Sequence, residues 1–195
     1  MRTFNCALII LILTFSCTSI EEEREKNQYE IISILIEHFG KSDFPPPPPG
    51  RSYTFSKIQL DSIRSQKQNI ALYPVLKDSN DNFLKSDSDD FNILTQNLKN
   101  LKEKIFIDIS KINLKTAHNI SILDTLKLAS DRNSVYNDFN KIISFSQISF
   151  NQEYTKAVLV VGVSKGYLNG YASLVFLEKI DNIWQIKGTD TFSIS

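Results

Sequence analysis

The chain has 195 residues, 42% of them apolar, and its 22 basic residues balance 22 acidic ones. A balanced charge argues against the basic face that neutralising nucleic-acid phosphates demands, and against a polybasic membrane-surface helix. Both cysteines, Cys6 and Cys17, lie near the N-terminus, so residues 18–195 can form no disulfide among themselves.

The first residues read as a processing segment. Met1-Arg2-Thr3 is a short positive start, and residues 7–15 are apolar apart from Thr14. That run falls short of the roughly 20 residues needed to cross a hydrocarbon core, and it has the length of the apolar part of a secretory signal. It ends in Thr14-Phe15-Ser16-Cys17, with a small residue directly before a cysteine. The arrangement resembles the lipobox of bacterial lipoproteins, in a looser form similar to that of Bacteroidetes, and implies cleavage after Ser16 and a lipid on Cys17. Ordinary secretory cleavage beside a bystander cysteine is the plainer alternative. Acylation would remove an unpaired thiol from an exported chain. Glu21-Glu22-Glu23 then resembles the acidic surface-export tag of some Bacteroidetes lipoproteins, although the same glutamates also favour a helix N-terminus. The expected division is a signal peptide over 1–16, a lipid-anchored tether with a helix and a proline-rich spacer over 17–50, and an α+β domain over 51–195.

Tyr29, Ile32, Leu35, Ile36 and Phe39 recur at helical spacing and predict a helix over 21–39, stopped by Gly40. His38, in its last turn, fits the role of a helix-end cation. The run 45–49 is five prolines followed by Gly50, a stiff extended spacer, with a docking peptide for a proline-binding partner as the alternative. Tyr53, Phe55 and residues 58–60 suggest a strand, and residues 70–76 a second, with Pro74 pointing to an edge. Phe91, Leu94, Leu98 and Leu101 predict a helix, residues 105–109 a strand and 131–139 a short helix. Residues 142–150, 156–164, 171–179 and 183–189 read as four consecutive strands, with turns at Asn151-Gln152-Glu153 and Ile180-Asp181-Asn182. Short links make them antiparallel neighbours. Val158 and Val160 oppose Leu159 and Val161, so that strand needs cover on both faces.

Phe145-Ser146, Ile148, Phe150-Asn151, Thr155-Lys156-Ala157, Gly166-Tyr167-Leu168, Gly170, Leu177-Glu178-Lys179, Trp184 and Ile186 follow one another in an order that resembles the C-terminal region of small uncharacterised secreted lipoproteins of Bacteroidetes. The resemblance covers roughly the last fifty residues, supports the fold and implies no catalytic residue.

Asp78, Asn80 and Asn82 match the opening spacing of a calcium loop, with Asp89 at the twelfth position. Phe83 stands where the loop's sharp turn wants glycine, and a polar turn explains the same residues. His118 with Asp124 is the one local histidine–carboxylate pair, against the plainer reading of a histidine in a surface loop. Gly166, Tyr167, Leu168 and Gly170 form a candidate contact loop, against a hairpin loop that needs positive φ. Asp61-Ser62-Ile63 and Asp124-Thr125-Leu126 resemble a short O-glycosylation motif of exported Bacteroidetes proteins.

The expected fold is α+β: an antiparallel β-meander sheet packed with helices, behind an N-terminal helix and polyproline spacer. The expected protein is lipid-anchored in the cell envelope, binds or interacts, and uses no cofactor and no metal. Its expected partners are the membrane, through the lipid, and an envelope protein or glycan. The expected location is the outer membrane or cell surface, with a periplasm-facing alternative. An envelope hydrolase with dispersed acidic residues is the competing reading.

Overall fold

A computed structural model describes residues 2–43, 55–79, 88–166 and 169–194, with side chains described from Ile20 onward. The first helix, α1 (Arg2–Phe39), runs past the predicted start and ends at the predicted stop. Its Tyr29, Ile31, Ile32, Leu35, Ile36 and Phe39 are buried at helical spacing. The Gly40 N–H donates to the Ile36 carbonyl at 2.8 Å, closing the last turn. A Cβ at Gly40 would overlap that carbonyl oxygen and lie 2.6 Å from Ile70 Cδ1.

Next comes α2 (Lys57–Arg64), where the apolar residues predicted a strand. Its Ser56 hydroxyl accepts from the Gln59 N–H while the Gln59 side chain accepts from the Ser56 N–H. That reciprocal cap outweighs the strand propensity of Ile58, and the helix buries none of its residues. Strand β1 (Asn69–Leu72) stops before Pro74 and lies inside the sheet rather than at its edge, so the missing proline N–H is never asked of the ladder.

Helix α3 (Asp89–Leu98) follows as expected. Instead of a full strand over 105–109 there is a single antiparallel bridge between Val75 and Phe106. A short 3-10 turn over Ile109–Lys111 then leads to β2 (Asn119–Ile122), α4 (Thr125–Ser130) and α5 (Arg132–Asp138). The expected strand over 142–150 divides into β3 (Lys141–Phe145) and β4 (Ser149–Phe150). At the break the Ser146 hydroxyl accepts the Val160 N–H at 2.8 Å, taking the place of a ladder carbonyl. The chain closes with β5 (Lys156–Gly166), β6 (Asn169–Ile180) and β7 (Ile183–Ile194).

Among the described residues, seven strands form one sheet in the order β2-β1-β3-β5-β6-β7, with β4 beside β5. The α+β class and the antiparallel meander of β3, β5, β6 and β7 hold, but the sheet is mixed: β1 pairs in parallel with both β2 and β3. Parallel neighbours need long crossovers, and the segments carrying α3 and α4–α5 supply them.

One face of β5 (Ala157, Leu159, Val161, Val163) shares a core with α1, Ile70, Leu72, Ile143, Val175 and Leu177. The first helix, on the N-terminal side of the proline run, is therefore packed in the same core as the sheet that follows it. On the other face, α3 covers Val158 and Leu174 through Leu94 and Leu98, and α5 covers Ala71 and Ile142 through Val135. Both faces of the doubly apolar strand are covered by helices.

The close approach at Gly40 yields a test. Gly40→Ala should lose about 1–3 kcal/mol in urea denaturation through overpacking. Gly166→Ala, whose Cβ meets nothing within 4 Å, should leave the midpoint unchanged or slightly raised. Equal midpoints for the two variants would mean that the α1–β1 approach does not constrain the fold.

Candidate functional site

Polar residues on α1 recur every four positions beside its apolar face. Glu25, Tyr29, Ser33 and Glu37 form one such stripe, and segment 108–116 is hydrogen-bonded along it. Lys111 Nζ reaches Glu25 Oε1 at 2.6 Å, and the Asp108 N–H donates to the Tyr29 hydroxyl at 2.9 Å. The Asn113 N–H donates to Ser33 Oγ at 3.0 Å. The Lys115 and Thr116 N–H groups both donate to Glu37 Oε1. Ser33 Oγ in turn donates to the Tyr29 carbonyl at 2.7 Å, so the hydroxyl both donates and accepts.

The β6–β7 hairpin flanks α1 on another side. Its turn places Asp181 and Asn182 at φ of 50° and 62°, the two left-handed residues of a type I′ turn. The buried Asn27 Oδ1 accepts from Lys179 Nζ at 2.6 Å and from Trp184 Nε1 at 3.0 Å. The Asn27 amide nitrogen donates to the Glu23 carbonyl at 2.8 Å.

Between this hairpin and segment 108–116 lies an open cleft of about 560 Å³, floored by α1. Glu22, Lys26, Glu30 and Ile34 form the floor, Lys111, Asn113 and Lys115 one wall, and Asn182 and Ile183 the other. The charges are mixed and partly spent on each other, since Lys111 holds Glu25. Its lining contains no histidine or cysteine. Such a surface suits contact with a partner of mixed polarity.

A smaller trough of about 320 Å³ crosses the opposite face of the sheet. Ser144, Gly162, Ala172 and Ser193 stand side by side on four neighbouring strands and make its floor. Ser144 Oγ leans to within 2.6 Å of where a Gly162 Cβ would be. Tyr136, whose hydroxyl pairs with Ser164 Oγ at 2.7 Å, and Lys77, 3.9 Å from the Tyr73 ring centroid, border it. Burial lowers the Lys77 pKa.

The third cluster lies at the C-terminal end of α1. Lys141, 3% exposed, donates to the Phe39 carbonyl at 3.0 Å and to the Lys41 carbonyl, and lies 3.3 Å from Asp43 Oδ2. It supplies the cation that the helix end favours, in place of His38. His38 has its pKa lowered by partial burial and by Lys41 beside it. Burial would raise the Asp43 carboxyl, but the Lys165 and Lys141 ammonium groups outweigh it and hold the pKa down. Burial and Asp43 together raise the Tyr171 pKa.

His118 adjoins this cluster. Its Nδ1 accepts the Gln68 N–H at 3.2 Å, which puts the neutral ring's proton on the buried Nε2. Asp124 is occupied elsewhere, capping α4 by accepting from the Leu126 and Lys127 N–H groups. The two share no hydrogen bond, and the histidine–carboxylate pair suggested by their spacing is not formed.

Of the calcium-loop candidates, Asp78 lies 3.9 Å from Lys102 Nζ and Asp89 opens α3, while Asn80 and Asn82 lie outside the described residues. In the contact loop, Gly166 pairs with Asn169 across the hairpin and Gly170 with Ser164, while Tyr167 and Leu168 lie outside the described residues. Cys17 lies on the α1 backbone. Lys141, Asn27 and Ser33 went unnoticed in the sequence; the four-residue polar stripe of α1 was the available signal for Ser33.

Two tests follow from these contacts. Ser33→Ala should cost about 1–2 kcal/mol by orphaning the Asn113 N–H, and hydrogen exchange at that amide should accelerate. Unchanged exchange there would show that segment 108–116 is held by other contacts. The second concerns pH. Burial lowers the His118 pKa, with Glu37 opposing and Lys141 reinforcing, and His38 shifts the same way. The unfolded chain therefore takes up these protons first as pH falls, so stability should drop from about pH 7 towards pH 5. A double variant, His38→Gln with His118→Asn, should flatten that slope in urea titrations at each pH. A slope as steep as wild type would assign the loss to carboxylates.

The chain matches no protein-family model, no curated protein and no solved structure, so its functional reading rests on its own residues and their geometry.

Proposed function

We propose that this is an exported protein, held at a membrane of the cell envelope by a lipid on Cys17, whose domain works by contact with an envelope protein or glycan. The observation that carries this reading is the apolar run 7–15 ending in Ser16-Cys17 behind a positive start. Two structural features support it. The helix bearing Cys17 is the one whose later turns are buried in the core, so an anchor there joins the folded domain through a continuous helix. The larger cleft is open, charge-mixed and partly apolar, the character of a contact surface.

Membrane flotation of cells expressing wild type and Cys17→Ala tests the anchor. Wild type should float with membranes, begin at Cys17 and carry acyl mass, while the variant should lose both the acyl mass and the flotation. A wild-type protein recovered in the soluble fraction without added mass would overturn the proposal. Protease added to intact cells then separates a surface location from a periplasm-facing one, with the three glutamates at 21–23 neutralised as the comparison.

A further inference from the structure

The N-terminal half of α1 and the β6–β7 turn project from the same end of the sheet. Phe39, at the C-terminal end of α1, packs by Tyr171 near the start of β6, with ring centroids 6.4 Å apart. Asn27, three turns earlier, bonds Lys179 and Trp184 at the other end of β6 and the start of β7. Glu22 and Ile183 line the same cleft. Helix and strand thus run side by side in opposite directions, and the chain towards Cys17 leaves from the end that carries the hairpin turn.

That end is rimmed with isoleucine. Ile180 and Ile183 flank the turn at 37% and 63% exposure, and Ile20 on α1 is 53% exposed. Ile20 stands seven residues before Asn27, two helical turns away on the same side of the helix that meets the hairpin. The other exposed large apolar residues, Ile58, Ile93, Phe106, Ile122, Leu126 and Ile194, are distributed over α2, α3, the bridge to Val75, β2, α4 and the far end of β7, and single exposed side chains of this kind need no partner.

We propose that Ile20, Ile180 and Ile183 form a membrane-contact surface, on which the domain stands upright with the β6–β7 turn against the lipid. This rests on the reading of Cys17 as the lipidated residue. Cys17 is three residues from Ile20, about 4.5 Å of helix rise, so acyl chains leaving it enter the bilayer next to this rim. The helix is rooted in the core from Asn27 onward, which restricts how far the domain can swing from its anchor. Apolar side chains at the interface add a second hold to the lipid. Glu21, Glu22 and Glu23 beside the rim repel anionic headgroups, so the surface selects a neutral lipid face.

The test uses the full acylated chain. Once Cys6 leaves with the leader and Cys17 is acylated, Ile183→Cys and Ile194→Cys each carry one free thiol for an environment-sensitive fluorophore. The two sites are exposed at opposite ends of one strand, roughly 35 Å apart. In phosphatidylcholine vesicles doped with brominated lipid, the label at 183 should be blue-shifted and quenched, and the label at 194 should not. Flotation with neither label quenched would overturn the contact surface and leave the anchor intact. Equal quenching at both ends would overturn the upright orientation. Failure of both variants and of wild type to float, with dye attached at Cys17, would overturn the anchor itself.

Discussion

Burying Ile31, Ile32, Leu35 and Ile36 against the sheet fixes the rotation of α1, and the polar contacts around the helix follow from that rotation. Each residue turns the helix by about 100°, so once the apolar face points at the sheet every other side chain has an assigned direction. Glu25, Tyr29, Ser33 and Glu37 then face segment 108–116, and Asn27 faces the hairpin. The last turn presents its carbonyls to Lys141. Backbone N–H groups of a segment with little regular structure of its own are thereby satisfied by helix side chains. The hydrophobic contact supplies the gross stabilisation and sets the rotation, and the polar contacts hold the helix at it.

The second constraint is the two-sided strand β5. An apolar row on each face requires cover on each face, and α1 can serve only one. The other is shared by α3 over Val158 and Leu174 and by α5 over Ile142, two short helices on different strands. Where they fail to meet, the sheet carries Ser144, Gly162, Ala172 and Ser193 instead of large apolar residues. The trough is therefore a packing consequence: small and hydroxylated side chains tolerate partial exposure that Leu or Val would not.

The parts of this arrangement legible in the sequence were those encoded locally. The period of α1, the two-residue alternation of β5 to β7 and the Asp181-Asn182 turn each declare themselves within a few residues. What escaped depends on distant partners or on a contest between local signals. Nothing near Asn69–Leu72 reveals that it pairs in parallel with residues about fifty and seventy positions away. The capping box of Ser56 and Gln59 competed with β-branched Ile58 and prevailed. Lys141 reads as an ordinary strand-edge lysine until the end of α1 is set over it. At the candidate sites the same division holds: the spacing of His118 and Asp124 suggested a pair, but His118 accepts from the Gln68 N–H, fifty positions away, and Asp124 caps α4.

The edges of the sheet explain why contact should fall at its end. An outer strand offers unpaired backbone groups to any passing strand, and β7, twelve residues long, is outermost among the described residues. Its pairing with β6 shifts register twice, once around Phe192 and once around Lys187, and Lys187 lies 3.3 Å from Glu178. Bulges twist an edge out of register, and a lysine on it would leave a charge buried in any added strand. The opposite outer strand, β2, has only four residues, too few for a lasting addition. With both edges blunted, the exposed isoleucines around the β6–β7 turn are an apolar surface that can be covered without adding a strand, and a bilayer asks for no backbone hydrogen bonds at all.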